Sequence, residues 1–184
     1  MERKNNVKQI LRLSLILIVI TGITALLLAG VNALTADRIA ENERIATEQS
    51  LASIFGEAKY TDITPSDTSG IGPDVKTIYE TDSGDFGVLV SPQGFKQEIQ
   101  MAVGISANGE IIGVSIISSQ ETSGIGSKAA NDEYVKRYEG LSGELTLGTD
   151  VDGVSGATIS SKAILKGINE ALAIDFQAVK GAAK

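Results

Sequence analysis

The chain has 184 residues, 42% of them hydrophobic, a formal charge of −7, and neither Cys nor His. It therefore cannot by itself ligate an iron–sulfur cluster through thiolates, build a Cys or His zinc site, hold haem on an imidazole, or form a Ser-His-Asp triad. An oxygen-ligand metal site is the metal chemistry left open, and the acidic balance argues against a nucleic-acid partner.

The charge is unevenly placed. Residues 1–12 hold Arg3, Lys4, Lys8 and Arg12 against Glu2, a net of +3, so the remainder carries −10. Residues 13–36 then run without a charge and are dominated by Leu, Ile, Val and Ala. As a helix at about 1.5 Å per residue this stretch reaches about 36 Å, enough to cross a hydrocarbon core of about 30 Å. A cleaved signal peptide would carry a shorter apolar core of about 7–15 residues, so a retained transmembrane helix is expected over 13–36. The basic flank 1–12 then stays in the cytoplasm, and the rest lies outside the cell (inner) membrane.

Residues 37–60 are expected to form a juxtamembrane helix segment, with the helix continuing from the anchor over 37–55. Ile39, Ala46, Leu51, Ile54 and Phe55 form a broken apolar stripe, and Gly56 ends it. Residues 61–184 are expected to form one extracytoplasmic domain. It opens with a loop over 61–74, rich in Thr, Ser, Asp, Gly and Pro. Short strands are predicted over 75–79 and 86–90, separated by the turn cluster TDSGD. Strands over 99–106 and 110–118 flank Ala107-Asn108-Gly109, a hairpin signal. Met101, Val103 and Ile105 alternate with Gln100, Ala102 and Gly104, the pattern of one buried face. Helices are predicted over 134–141 and about 161–173, the latter with Ile164, Leu165, Ile168 and Leu172 inward. The fold class is α+β, with a mainly antiparallel sheet and flanking helices.

Residues 152–161 read DGVSGATISS. Gly153 and Gly156 permit a tight turn close to a ligand. Ser160 or Ser161 is placed to cap the helix that follows. The first-turn N–H groups of that helix favour an anion beside the hydroxyls of Ser155 and Thr158. Taken alone, the tetrapeptide SGAT reads as a glycine turn with a serine cap.

The longer run D-x-x-S-G-A-T resembles the flavinylation motif of FMN-binding-domain proteins. Upstream, residues 121–126 read ETSGIG, where that family carries E-T-P-G-L-G; Ser123 and Ile125 depart from the pattern. The run GFKQEIQMAVGI also lacks the paired glycines common near its start. Over nearly its whole length the chain resembles the G subunits of Rnf-type ion-translocating ferredoxin:NAD oxidoreductases. The C subunits of sodium-pumping NADH:quinone oxidoreductases are similar but usually longer.

The resemblance implies a covalent FMN, its phosphate esterified to the Thr158 hydroxyl. It places Asp152, Ser155, Gly156 and Ala157 on the other motif positions, with Asp152 serving recognition by an FMN transferase or holding the phosphate. Lys162 reads as a solvent-facing helix lysine. The resemblance further implies that Glu121, Thr122, Gly124 and Gly126 line the flavin. Nothing supports Glu121 as a general base, and no catalytic or metal-ligating residue is assigned. The implied role is an electron relay within a complex of other membrane subunits that couples ferredoxin:NAD electron transfer to Na⁺ or H⁺ movement. An autonomous surface flavoprotein and a non-redox membrane-anchored binding domain are the alternatives.

Overall fold

The computed structural model describes residues 2–68 and 70–182, with side chains from residue 9 to residue 181. Arg3, Lys4 and Lys8, most of the basic flank, and Ser69 in the expected loop fall outside that description of side chains. One helix, α1, runs over Glu2–Phe55 without a break. The chain forms two compact units, Met1–Ile45 and Ala46–Lys184, so the end of α1 belongs to the second.

Over residues 13–36 the helix carries no charge, and it is long and apolar enough there to cross a membrane. Its large side chains lie open, Leu26 at 75% and Leu34 at 82% exposure. Thr21, Thr24 and Thr35 turn their hydroxyls back to the carbonyls of Leu17, Ile20 and Val31, each at 2.9 Å. Hydroxyls satisfied within the helix remove the cost of placing them in hydrocarbon.

The second unit is built on a five-stranded antiparallel meander in the order β1 (Tyr60–Asp62), β2 (Val75–Thr81), β3 (Phe86–Val90), β4 (Ile99–Ile105) and β5 (Ile111–Ser119). Pairing register explains how both faces are covered. Ile78, Val88, Val103 and Val114 stand side by side across β2–β5. The next row is Tyr79, Gly87, Gly104 and Gly113. Adjacent rows point to opposite faces, because the side-chain period of a strand is two.

The first face meets α3 (Thr158–Leu172), whose Ile164 and Ile168 are fully buried. Close approach is visible at Gly167, where a Cβ would stand 2.7 Å from Met101 Cε and 3.1 Å from Val90 Cγ2. The second face is a trough of glycines that seats Leu51, Ile54 and Phe55 at the end of α1. A Cβ on Gly87 would lie 2.8 Å from Leu51 Cδ2, and one on Gly104 would meet Ile54 Cγ2 and stand 2.9 Å from Phe55 Cζ. Residues 46–55 therefore pack on the domain's own sheet.

Connections after β5 fix the edges. A 3₁₀ turn at Gly126–Lys128 leads to α2 (Asp132–Val135), capped by Asn131 Oδ1, which accepts the Tyr134 N–H at 3.0 Å. A second 3₁₀ turn covers Lys136–Tyr138. Burial and a hydroxyl contact with Tyr134 at 3.4 Å push the Tyr138 phenol well above its ordinary ionisation range. Asn169 of α3 fastens the following loop by accepting the Leu145 N–H at 3.0 Å and donating to the Leu145 carbonyl at 2.8 Å. Glu170 accepts the Asp74 N–H at 2.9 Å, and Lys166 bridges Asp74 and Glu170. The closing helix α4 (Phe176–Ala182) stacks Phe176 on Phe86 at 4.0 Å and pairs Lys180 with Glu80 at 2.6 Å.

The α+β class and the antiparallel sheet stand as read from sequence. Several details differ. The 61–74 segment begins with strand residues, because Tyr60, Thr61 and Asp62 pair with Thr81, Glu80 and Tyr79. The expected helix over 134–141 is a short α-turn followed by a 3₁₀ turn, ended before Gly140, whose N–H bonds the Ile111 carbonyl at 2.8 Å. Ala102 is as buried as Met101 and Val103, because the small row admits α1 where solvent was expected.

Gly104→Ala is expected to destabilise the domain by about 1–3 kcal/mol through overpacking against Ile54 and Phe55. Thermal unfolding of the detergent-solubilised chain measures this; an unchanged midpoint contradicts the trough.

Candidate functional site

The motif 152–161 folds as a turn running into α3. The Ala157 N–H closes the turn on the Val154 carbonyl at 2.9 Å, and Gly156 takes φ +80°. A residue with a Cβ rarely adopts that conformation, so glycine is needed there. Helix α3 starts at Thr158, with Ala157 in the N-cap position and no side chain capping it.

The expected cap by Ser160 or Ser161 is therefore corrected. The helix begins three residues earlier than expected, and both serines lie within its first turn, at 1% and 0% exposure. Ser161 Oγ accepts the Val154 N–H at 3.1 Å and pins the preceding turn. Ser160 Oγ donates to Glu121 Oε2 at 2.7 Å. With both serines directed elsewhere, the helix end presents its amide dipoles without a capping side chain, the electrostatics that favour an anion.

Thr158 is exposed beside these amides and lines a cavity of about 360 Å³. One wall is Gly156–Ser160 at the start of α3. The other is supplied by Thr122 and Ile125 of the 121–126 loop and by Phe95. Phe95 sits in the tight connection between β3 and β4, closed by the Gly94 N–H on the Gln97 carbonyl at 2.9 Å. The loop is held by the Ile125 N–H on the Thr122 carbonyl at 3.1 Å and the Gly124 N–H on Ser127 Oγ at 2.9 Å.

Among the described residues from Ala46 onward, four large apolar side chains are exposed: Phe95, Ile112, Ile125 and Ile159. Three of the four line this cavity. An apolar rim beside an uncapped helix start and a free hydroxyl suits a ligand with a flat apolar body and an anionic end. A larger concavity of about 550 Å³ lies along the flank of α3, lined by Leu165, Asn169 and Leu172 with Lys162. It contains none of the motif residues from 152 to 161.

Of the residues singled out from sequence, Thr122, Gly156, Ala157 and Thr158 share the cavity wall. Glu121 and the buried Gly126 lie behind it, where a Cβ on Gly126 would meet the Glu121 carboxylate. Gly124 is exposed with φ +76°. Asp152 and Ser155 are exposed outside the cavity wall. Phe95 and Ile159 were not singled out. Phe95 carried a signal, a lone aromatic among the polar residues of 93–98, whereas the exposure of Ile159 on the first turn of α3 follows from packing.

An FMN-binding domain matches residues 94–173, from the turn bearing Phe95 to the end of α3. An RnfG N-terminal region matches residues 1–54, nearly the whole of α1. The chain is 30% identical to the G subunit of the Na⁺-translocating ferredoxin:NAD⁺ oxidoreductase complex of Acetobacterium woodii, over 95% of this chain and 97% of that one. It is 28% identical to the G subunit of the ion-translocating oxidoreductase complex of Shewanella piezotolerans, over 90% and 87%. The G subunit of a proton-translocating ferredoxin:NAD⁺ oxidoreductase complex from Clostridium ljungdahlii is 32% identical, over 46% of this chain and 50% of its own.

The chain belongs to the family of G subunits of Rnf-type oxidoreductase complexes.

The residues present fit the FMN of the family's domain. Phe95, Ile125 and Ile159 offer apolar surface to a flat ring, and the uncapped start of α3 offers dipoles to a phosphate. Strands β1–β3 lie outside both matched regions, and they complete the sheet that β4 and β5 begin.

Gly156→Ala is expected to lower stability by about 1–2 kcal/mol through backbone strain alone, since open space surrounds its Cβ position. Urea unfolding gives the value, and a neutral substitution would show that the turn relaxes.

Proposed function

We propose that this chain is the membrane-anchored flavin subunit of an Rnf-type complex, carrying FMN esterified to Thr158 and relaying electrons between neighbouring redox centres. The observation that carries the reading is Thr158 itself: an exposed hydroxyl at an uncapped helix start, opening on the apolar cavity. In the attachment step, catalysed by a transferase, Thr158 Oγ1 bonds to the FMN phosphorus of a phosphoanhydride donor as the bond from that phosphorus to the leaving phosphate ester breaks, and the hydroxyl proton passes to a base of the transferase. The product diester keeps roughly one negative charge, which the amide dipoles at the start of α3 offset. Bound FMN supplies a centre that takes or gives one or two electrons.

The protein's own contribution is placement. Gly156 lets the backbone turn so that Thr158 faces the cavity. Phe95, Ile125 and Ile159 exclude water from one side of it. Asp152, exposed on the approach to the turn and without a hydrogen-bond partner among the described residues, is available to the transferase.

Helix α1 supports a single-span anchor with residues 13–36 in the membrane, and the net +3 of residues 1–12 supports a cytoplasmic flank with the FMN domain outside. That span contains no acid or base, so the chain offers no proton or cation path of its own. Ion movement, of Na⁺ or H⁺, then belongs to partner subunits, and this chain acts as a relay in a ferredoxin:NAD oxidoreductase without independent turnover.

Co-expression with a matching FMN transferase should give one FMN adduct, on the Thr158 peptide. Thr158→Ala should abolish it while changing stability by less than about 0.5 kcal/mol. In membrane vesicles with the complex assembled, the same substitution should stop ferredoxin-driven NAD⁺ reduction and ion uptake together. Both persisting with flavin missing from this chain would exclude the relay.

Cysteines introduced on the domain surface should react with an impermeant thiol reagent in cells whose inner membrane is intact. Reaction only after that membrane is lysed reverses the orientation.

A further inference from the structure

We propose that Glu121 is the positioning residue of this site: its carboxylate fastens the Phe95 turn to the first turn of α3, and so holds the Thr158 wall against the apolar wall. The proposal rests on the reading of Thr158 as the attachment residue. It assigns Glu121 a role one step removed from the flavin, in place of the ligand contact that its motif suggested.

The carboxylate reaches out of its own loop to two distant segments. Oε1 accepts the Lys96 N–H at 3.1 Å, and Oε2 accepts the Ser160 hydroxyl at 2.7 Å. Each partner adjoins a residue of the cavity wall. Lys96 follows Phe95 directly, and Ser160 is in the same helical turn as Thr158. One side chain therefore spans segments 25 and 39 residues away in sequence.

Two buried glycines leave the space it occupies. A Cβ on Gly94 would meet Glu121 Oε1, and a Cβ on Gly126 would meet Glu121 Oε2. The carboxylate is thus enclosed from both flanking segments, with each oxygen committed to a donor. Ser160 is 1% exposed, so the donor end of its bond to the half-buried Glu121 is shielded from water. Hydrogen bonds to an ionised acceptor are about twice as strong as neutral ones, and shielding preserves that difference. Glu121 is absent from the cavity wall, whereas Ser160 lines it. Glu121 therefore acts on the flavin through Ser160 and the Phe95 turn.

The test uses the full chain in membranes, co-expressed with the transferase. It reads FMN occupancy of the Thr158 peptide by mass and iodide quenching of the bound flavin's fluorescence, with thermal unfolding as the control for folding. Glu121→Ala is expected to lower occupancy at least fivefold, and the flavin that does attach should be quenched at least twofold more strongly. Glu121→Gln should recover occupancy to within twofold of wild type, because its amide oxygen can accept from Lys96 and its amide nitrogen can donate to Ser160. Glu121→Asp, which keeps the charge but is one methylene shorter, should not recover it. Ser160→Ala should raise quenching as Glu121→Ala does.

Wild-type occupancy and quenching in a folded Glu121→Ala protein overturn the proposal. So does a folded Glu121→Gln protein as defective as Glu121→Ala, which would mean that the charge itself meets the flavin or the transferase. If Glu121→Ala does not fold, Ser160→Ala decides, and unchanged quenching there overturns the clamp. Failure of the underlying reading looks different: wild-type protein would carry its flavin elsewhere than on Thr158, or carry none.

Discussion

The position of Thr158 depends on how closely α3 lies on the sheet. Gly167 brings the helix against Val90, Pro92 and Met101, at distances where a Cβ on that residue would crowd all three. Ile164 and Ile168, fully buried, fix its rotation about its axis. With axis and rotation set, the first turn of α3 has one exposed side, and Thr158 and Ile159 fall on it while Ser160 and Ser161 turn inward. The hydroxyl chemistry of the motif is thus divided by packing. Two serines become internal fasteners, and the threonine is left facing the cavity.

The opposite face of the sheet follows a different rule. A sheet with α3 on one side and solvent on the other would have needed polar residues in the alternate rows. This chain places Gly87, Gly104 and Gly113 in register there instead. Bare backbone admits the aliphatic and aromatic groups of Leu51, Ile54 and Phe55 into a shallow trough, so dispersion and desolvation hold the end of α1 where bulkier strands could not. The helix that begins as an apolar rod thus ends as part of the domain core, with Leu51 at 2% exposure.

The cavity joins these features to electron transfer. A relay must hold its cofactor firmly yet leave it near a surface where partners approach. A covalent bond at Thr158 would meet the first need without an enclosing pocket, and an open apolar rim of Phe95, Ile125 and Ile159 would meet the second. The absence of Cys and His from the whole chain is consistent with a protein whose redox chemistry is supplied by a bound group.

Much of this was readable without coordinates. The uncharged run over residues 13–36 exceeds what a signal peptide needs, and alternation around Asn108-Gly109 marks a hairpin, because hydrophobic period and turn chemistry are local properties. The glycine turn before a helix start was likewise encoded within a few residues, whereas Thr158 itself was singled out by the resemblance of D-x-x-S-G-A-T to a flavinylation motif, which turn chemistry alone does not supply. Other features were set by contacts between segments far apart in the chain. Sequence spacing made Ser160 and Ser161 equal candidates for a cap, and only the packing of α3 started the helix at Thr158 and buried both. The three glycines of the trough are unremarkable singly and acquire meaning through strand register. Phe95 joins Thr158 across the cavity, and Glu121 joins Lys96 to Ser160, because the β3–β4 connection folds back against α3. Local periodicity carries no information about such juxtapositions, which depend on how the faces of separate elements meet.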